Sequence, residues 1–403
     1  MKFKNQFGMF IHWGIYACTK EQEQVFARND IARAEYESLK DQFNPVLYNP
    51  EEWVLAAKKA GMKYICFTTK HHDGFCMWDT KYSDYNIMNT PYGKDVLKEL
   101  AEACRKYDMK LSLYYSNPDW HHEYGYNPNS THQWKAKNEN LKVYMEYERN
   151  QITELLTGYG NIYTLFWDIP PRIEDRSMNE LVRSLQPDIL INDRGFDPGD
   201  FSTPERELQT ENSRYPHMTE ACDSIGAQSW GYRETEDYHS IRYLTTAIDR
   251  VMARGGSFLL NVGPKADGTF PQEATEILNQ VGDWYNRMEG CLEDTEVDEY
   301  PYAVRNSHFV VNKKNGKSYF HFYDGINSSA VSFSKYPALP VSVRLVNTGR
   351  ELAFREELLP RYFDMNTGKS IKHLHIRGIP INELSQEPVV LEICWSKEDL
   401  DEL

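Results

Sequence analysis

Short, continuously apolar runs alternate with helix-patterned segments over about the first 290 residues, and no other feature limits the possible folds as much. The runs are 7–11, 64–67, 111–115, 162–167, 189–191 and 258–262. They lack the polar–apolar alternation of a strand with one wet face, so both faces are buried and the sheet is expected to be parallel. Helical patterns fill the gaps at 50–61, 94–107, 139–156, 177–185, 238–254 and 272–288. The first carries acids in its opening turn, bases in its last and a stopping Gly61. So many repeats favour a closed (β/α)8-like, TIM-type barrel over an open doubly wound sheet. No Gly-x-Gly-x-x-Gly follows the first strand, so the dinucleotide fingerprint is missing. After residue 293 the texture changes. Two strand-like runs flank Asn315-Gly316, a strong hairpin signal, and further strands are expected at 341–345 and 389–393. The reading is an α/β chain with a barrel over 1–293 and a C-terminal antiparallel β-sandwich over 294–403.

Composition removes several classes of function. The 403 residues carry 45 Lys and Arg against 60 Asp and Glu, a formal charge of −15, with no basic run of five or more. Nucleic acid and anionic membrane surfaces are therefore poor partners. No stretch reaches the roughly 18 apolar residues of a membrane span. Cysteines 18, 66, 76, 104, 222, 291 and 394 show no CxxC or metal-type spacing and read as reduced thiols. The first residues contain no apolar leader core, so a cytoplasmic location is expected, or a secreted or periplasmic one if a signal peptide was trimmed. Tyr 27, Phe 18 and Trp 9 often sit beside Gly, His, Asp or Asn. Sugar clefts use that mixture, although aromatics also fill large cores.

In a (β/α) barrel the chemistry sits at the C-terminal ends of the strands. Those ends read His12-Trp13-Gly14, Lys70-His71-His72-Asp73-Gly74-Phe75, Tyr114-Tyr115-Ser116, Trp167-Asp168 and Asn192-Asp193-Arg194. One strand-end Asp is usually a helix cap; five polar clusters on one rim make a site. The pairs His71-His72 and His121-His122 lack His-x-His and His-x-x-x-His spacing, and neighbours on an extended segment point opposite ways, which disfavours a metal. No Gly-x-Ser-x-Gly elbow is present. Carboxylate chemistry remains, with Asp168 best placed.

Phe7–Gly14, Lys70–Phe75, Asn192–Arg194, Ser229-Trp230-Gly231-Tyr232 and Gly255–Pro264 occur in this order. Together they resemble the α-L-fucosidases of glycoside hydrolase family 29, across roughly residues 5–295 and more weakly beyond. The resemblance implies an exo-acting, retaining α-L-fucosidase that needs no metal or organic cofactor and acts on fucosylated oligosaccharides or glycoconjugates. It implies that Asp168 is the nucleophile, that His12, His71, His72 and Tyr114 hold the sugar, and that Arg194 lies near the ring. Trp13, Phe166 and Trp230 would form its walls, and Asn261 would pack behind them. For the acid, Glu205 in Thr203-Pro204-Glu205 is favoured over Glu220, with Glu207 and Glu211 as solvated charges.

Two departures from the family pattern stand out. The usual Trp-x-Asp, with glycine at or near the next position, becomes Phe166-Trp167-Asp168-Ile169. The family's Glu-Trp pair after strand one falls on Gln24-Val25, which would replace a sugar-gripping carboxylate by an amide. That substitution motivates one alternative, a related exo-glycosidase with another sugar preference; the alternative from a different class is a catalytically weak carbohydrate-binding paralogue.

Overall fold

The computed structural model describes residues 5–29, 31–125, 140–171, 173, 175–206, 213–304, 307–363 and 366–396; Glu207 and Glu211 lie outside them. The chain forms two compact units. One comprises residues 1–207, 217–239 and 258–279, and the other 208–216, 240–257 and 280–403.

The first unit is built on a sheet of seven strands: β1 (Phe7–Ile11), β2 (Tyr64–Lys70), β3 (Lys110–Ser116), β4 (Ile162–Asp168), β5 (Leu190–Ile191), β6 (Glu220–Ser224) and β7 (Ser257–Val262). Their spatial order is β5-β4-β3-β2-β1-β7-β6. The β1–β2, β1–β7, β2–β3, β3–β4 and β4–β5 pairings are all parallel. Nearly every residue of these strands is buried, as a sheet covered on both faces requires.

The gap between β5 and β6 is closed by the short stretch 201–205. It bridges in parallel to Asn192 on one side and to Thr219 and Cys222 on the other. Asp193 N donates to the Phe201 carbonyl (2.9 Å), and Cys222 N to that of Pro204 (3.0 Å). With this stretch in sixth place the ring has eight positions, as expected of a TIM-type barrel. Pro204, which lacks an N–H, keeps the stretch from a regular ladder.

Local chemistry fixes the parts. The helix Pro50–Lys59 starts where the Asn49 side chain accepts from the amides of Glu51 and Glu52, with Pro50 at its first turn. At Gly8 any Cβ would stand 2.5 Å from the ring of Tyr64, so only glycine lets that ring lie across β1.

The second unit contains an antiparallel sandwich. One sheet has the strands Arg350–Glu351, Pro340–Leu345, Val389–Trp395, Lys317–Phe322, Val310–Lys314 and Glu296–Val297; the other has Ala353–Phe363, Ser370–Arg377, Ala330–Lys335 and Ala303–Val304. Phe320, Val343 and Leu391 from the first meet Phe333, Leu374 and Ile376 from the second in one buried cluster. The expected hairpin is present, with Asn315 and Gly316 both at positive φ. The helix Ile241–Ala253 belongs to this unit: buried Asp249 meets His321 Nδ1 at 2.8 Å.

Candidate active site

Side chains alternate along β4, so Phe166 and Asp168 share one face while Trp167 takes the other. Trp167 is fully buried and its indole N–H donates to Asn179 Oδ1 (3.0 Å) on the covering helix Ser177–Leu185. Asp168, the last residue of β4, turns toward the barrel mouth. Its Oδ2 accepts from the Tyr114 hydroxyl at 2.7 Å, and its Oδ1 accepts from Arg194 Nη1 at 2.9 Å. Burial would raise this carboxyl. The Arg194 guanidinium beside it, and the bonds donated by Tyr114 and Arg194, outweigh burial and hold it below the usual carboxylate range.

The same Arg194 nitrogen also donates to Glu205 Oε2, again at 2.9 Å. The two carboxylate oxygens therefore lie within 5.8 Å of each other, twice 2.9 Å. Arg194 is held in this pose by Thr203, whose Oγ1 accepts from Nε (2.9 Å) and whose carbonyl accepts from Nη2 (2.7 Å). The ring of Phe166 lies 5.3 Å from the guanidinium carbon and stacks on Tyr114. The closing stretch of the barrel thus brings Glu205 to the nucleophile candidate.

Three buried imidazoles line the approach. Asn261 Nδ2 donates to the Trp230 carbonyl (2.7 Å) and to Ser224 Oγ (2.9 Å), which leaves Asn261 Oδ1 to accept from His12 Nδ1 (2.7 Å). His12 Nε2 is then a bare acceptor. His72 Nδ1 faces Ser116 Oγ (2.6 Å), whose own hydrogen goes to the Pro118 carbonyl, so His72 also carries its proton on Nδ1. Its Nε2 lone pair lies 3.6 Å from Asp168 Oδ2. His71 stacks on Tyr114, and its Nδ1 is buried with no partner among the described residues. Burial lowers all three rings, His12 to about 3, so they are neutral near pH 7. Neutral acceptors beside an unpartnered ring nitrogen suit sugar hydroxyls, which both donate and accept.

The expected divergence of the adjacent histidines does not occur. β2 ends at Lys70 and the chain turns, so the His71 and His72 rings are 4.2 Å apart. His71, His72 and Asp168 each offer a ligand atom within 4.8 Å of the others, a grouping that could hold an ion. The Arg194 guanidinium already occupies that carboxylate, and a divalent cation would meet its like charge.

Two of the residues expected at the site are placed elsewhere. Trp13 points away from its neighbour His12 and packs against Phe43, Tyr48 and Trp53, with its indole N–H on the Lys265 carbonyl. Glu220 is the first residue of β6 and is fully buried. It accepts from the hydroxyl of Tyr64, the first residue of β2, at the end of the sheet opposite Asp168. Trp230 does reach the site, lying 5.2 Å from the His12 ring.

The departure at Gln24-Val25 also changes meaning. Gln24 binds Arg28 on the surface and Val25 is buried, while the carboxylate one position earlier, Glu23, turns inward. Glu23 Oε2 accepts from the amides of Trp230 and Gly231 at 3.0 and 2.9 Å. A one-residue shift in the sequence comparison would have found it.

The α-L-fucosidase family model matches residues 2–289. The α-L-fucosidase isoenzyme 1 of Paenibacillus thiaminolyticus superposes with a TM-score of 0.83 at 30% identity, covering 97% of each chain. The α-fucosidase of Thermotoga maritima gives 0.77 at 27%, covering 97% of this chain and 95% of that one. The plasma α-L-fucosidase of Homo sapiens is 28% identical over 311 residues, which are 69% of this chain and 66% of the human protein. The chain therefore spans just under two thirds of that relative. Motif order, barrel and rim geometry converge, and the chain belongs to the α-L-fucosidase family.

Proposed function

We propose that the protein is an exo-acting α-L-fucosidase that releases terminal fucose from oligosaccharides or glycoconjugates with retention of configuration. The observation that carries this reading is the pair of carboxylates on one guanidinium. Retaining glycosidases set their two carboxyl groups about 5–5.5 Å apart, inverting ones about 6.5–9.5 Å. In the first step Asp168 attacks the anomeric carbon while Glu205 protonates the departing oxygen. In the second, Glu205 takes a proton from water, which displaces Asp168 from the same carbon. The shared Arg194 supports both roles. Its one nitrogen holds the nucleophile and the acid/base candidate within reach of the same glycosidic bond.

His12, His71 and His72 hold the ring hydroxyls, and Phe166, Tyr114 and Trp230 supply its apolar walls. The inward carboxylate of Glu23 removes the reason for supposing another sugar preference, and two carboxylates facing one pocket speak against a mere binding module. Turnover of 4-nitrophenyl α-L-fucoside, unchanged in EDTA, is the test. Release from another aryl glycoside but not from the fucoside would refute the sugar assignment, and reversible loss on chelation would refute metal-free chemistry.

A further inference from the structure

Each of the two carboxylates is followed by a residue with positive φ, Ile169 at 59° and Arg206 at 52°. For a β-branched residue this region is strained, and it persists only where the surroundings enforce it. At Ile169 the strain has a use: the turn brings the Ile169 N–H to 3.0 Å from Asp168 Oδ1, where it helps to fix the carboxylate plane.

The group that enforces the turn is Asn117, the first residue beyond β3, fully buried. Its backbone N–H donates to the Asp168 carbonyl (3.1 Å). Its side-chain Nδ2 donates to the Ile169 carbonyl at 2.6 Å and makes a longer contact, 3.5 Å, to the carbonyl of Arg194. The amide orientation is fixed, because an oxygen in that place would face two carbonyls. Behind it, the Tyr144 hydroxyl donates to the Asn117 carbonyl (2.6 Å) and accepts from the buried Lys70 ammonium (3.2 Å). Asn117 Oδ1 is buried and unpartnered among the described residues, an arrangement that stability alone disfavours.

We propose that Asn117 is a positioning residue that clamps the strained Asp168–Ile169 turn against the Arg194 backbone and so aims the nucleophile. The role rests on the reading of Asp168 as nucleophile. Without the clamp Ile169 relaxes to negative φ, and Asp168 Oδ1 loses the Ile169 N–H and its alignment with Arg194. The groups facing Asp168 are Tyr114 from β3, His72 from the turn after β2, His12 from the end of β1, Cys222 from β6 and Arg194 from the segment after β5, with Glu205 beyond Arg194. Loss of favourable partners moves the ionisation of Asp168 upward.

Asn117→Ala should lower kcat on 4-nitrophenyl α-L-fucoside about 30- to 100-fold with little change in KM. The acidic limb of kcat/KM should move to higher pH. Glycine accepts positive φ without strain, so adding Ile169→Gly should restore kcat at least about tenfold over Asn117→Ala. Ile169→Gly should also change Tm more favourably in the wild type, where the clamp enforces the strain, than in the Asn117→Ala background, where the turn has relaxed. If alanine prevents folding, Asn117→Ser carries the same comparison. An unmoved acidic limb, or a second substitution that merely adds its own loss, overturns the proposal. If the wild type does not release nitrophenol, the fucosidase reading fails, and the Tm comparison still decides whether Asn117 clamps the turn.

Discussion

Arg194 is the residue on which the site turns, because one of its nitrogens is bonded to both carboxylates. Sequence motifs brought Asp168, Arg194, the three histidines and Tyr114 to one rim, since strand-end polar residues of a parallel barrel must converge there. They favoured Glu205 over Glu220 on a short motif alone: both follow β5 in stretches without regular patterning, and the closed barrel puts one at the mouth and the other at the opposite end. Asn117 and Glu23 were not legible as site residues, because each acts through backbone groups distant in sequence. A general acid matters most when the leaving group is poor. Glu205→Ala should therefore cripple hydrolysis of natural fucosyl linkages while leaving the first step on a nitrophenyl fucoside nearly intact, and azide should then accelerate the second step and give a retained product. Appearance of that pattern in Glu220→Ala instead would reverse the assignment.

Among the elements, the long apolar strands were readable to within a few residues, whereas β6 was not. Glu220-Ala221-Cys222-Asp223-Ser224 starts with an acid and has no branched apolar residue, yet every position is buried. The barrel interior accepts it because Tyr64 donates to Glu220 and burial raises the carboxyl to about 8, so it is kept protonated. The linkage follows in sign. The folded value lies above the ordinary 4.5, so Glu220 contributes fully below about pH 4.5, and the contribution fades as pH rises through about 8. Glu220→Gln stays neutral and should flatten the fall of unfolding free energy over that window, by an amount on the order of a few kcal/mol at the alkaline end, with a correspondingly flatter Tm. Parallel Tm–pH curves for the two proteins would show that Glu220 does not carry the effect.

At the scale of the whole molecule, the change in texture near residue 293 marks where the sheets begin, but the compact unit that holds them also takes in 240–257 and 280–293. Periodicity could not reveal this, because an amphipathic helix shows which face it buries and not against what. Ala253 packs with Val310 and Tyr323, Asn312 Nδ2 donates to the Cys291 carbonyl, and Asp249 meets His321 with both side chains fully buried. A chain cut after residue 293 would uncover the face of the helix Ile241–Ala253 that Val310, Tyr323 and His321 bury. Expressed by itself, 1–293 should be insoluble or lose its cooperative melt; a soluble fragment with the Tm of the full chain would contradict this. The catalytic reading is tested most directly by replacing Asp168 with glycine and supplying azide. Loss of the nucleophile should abolish turnover of the aryl fucoside, and azide entering the vacated space should restore it with β-L-fucosyl azide as the product, identified by proton NMR. Wild-type turnover in Asp168→Gly, or an α-configured azide, would contradict double displacement at Asp168.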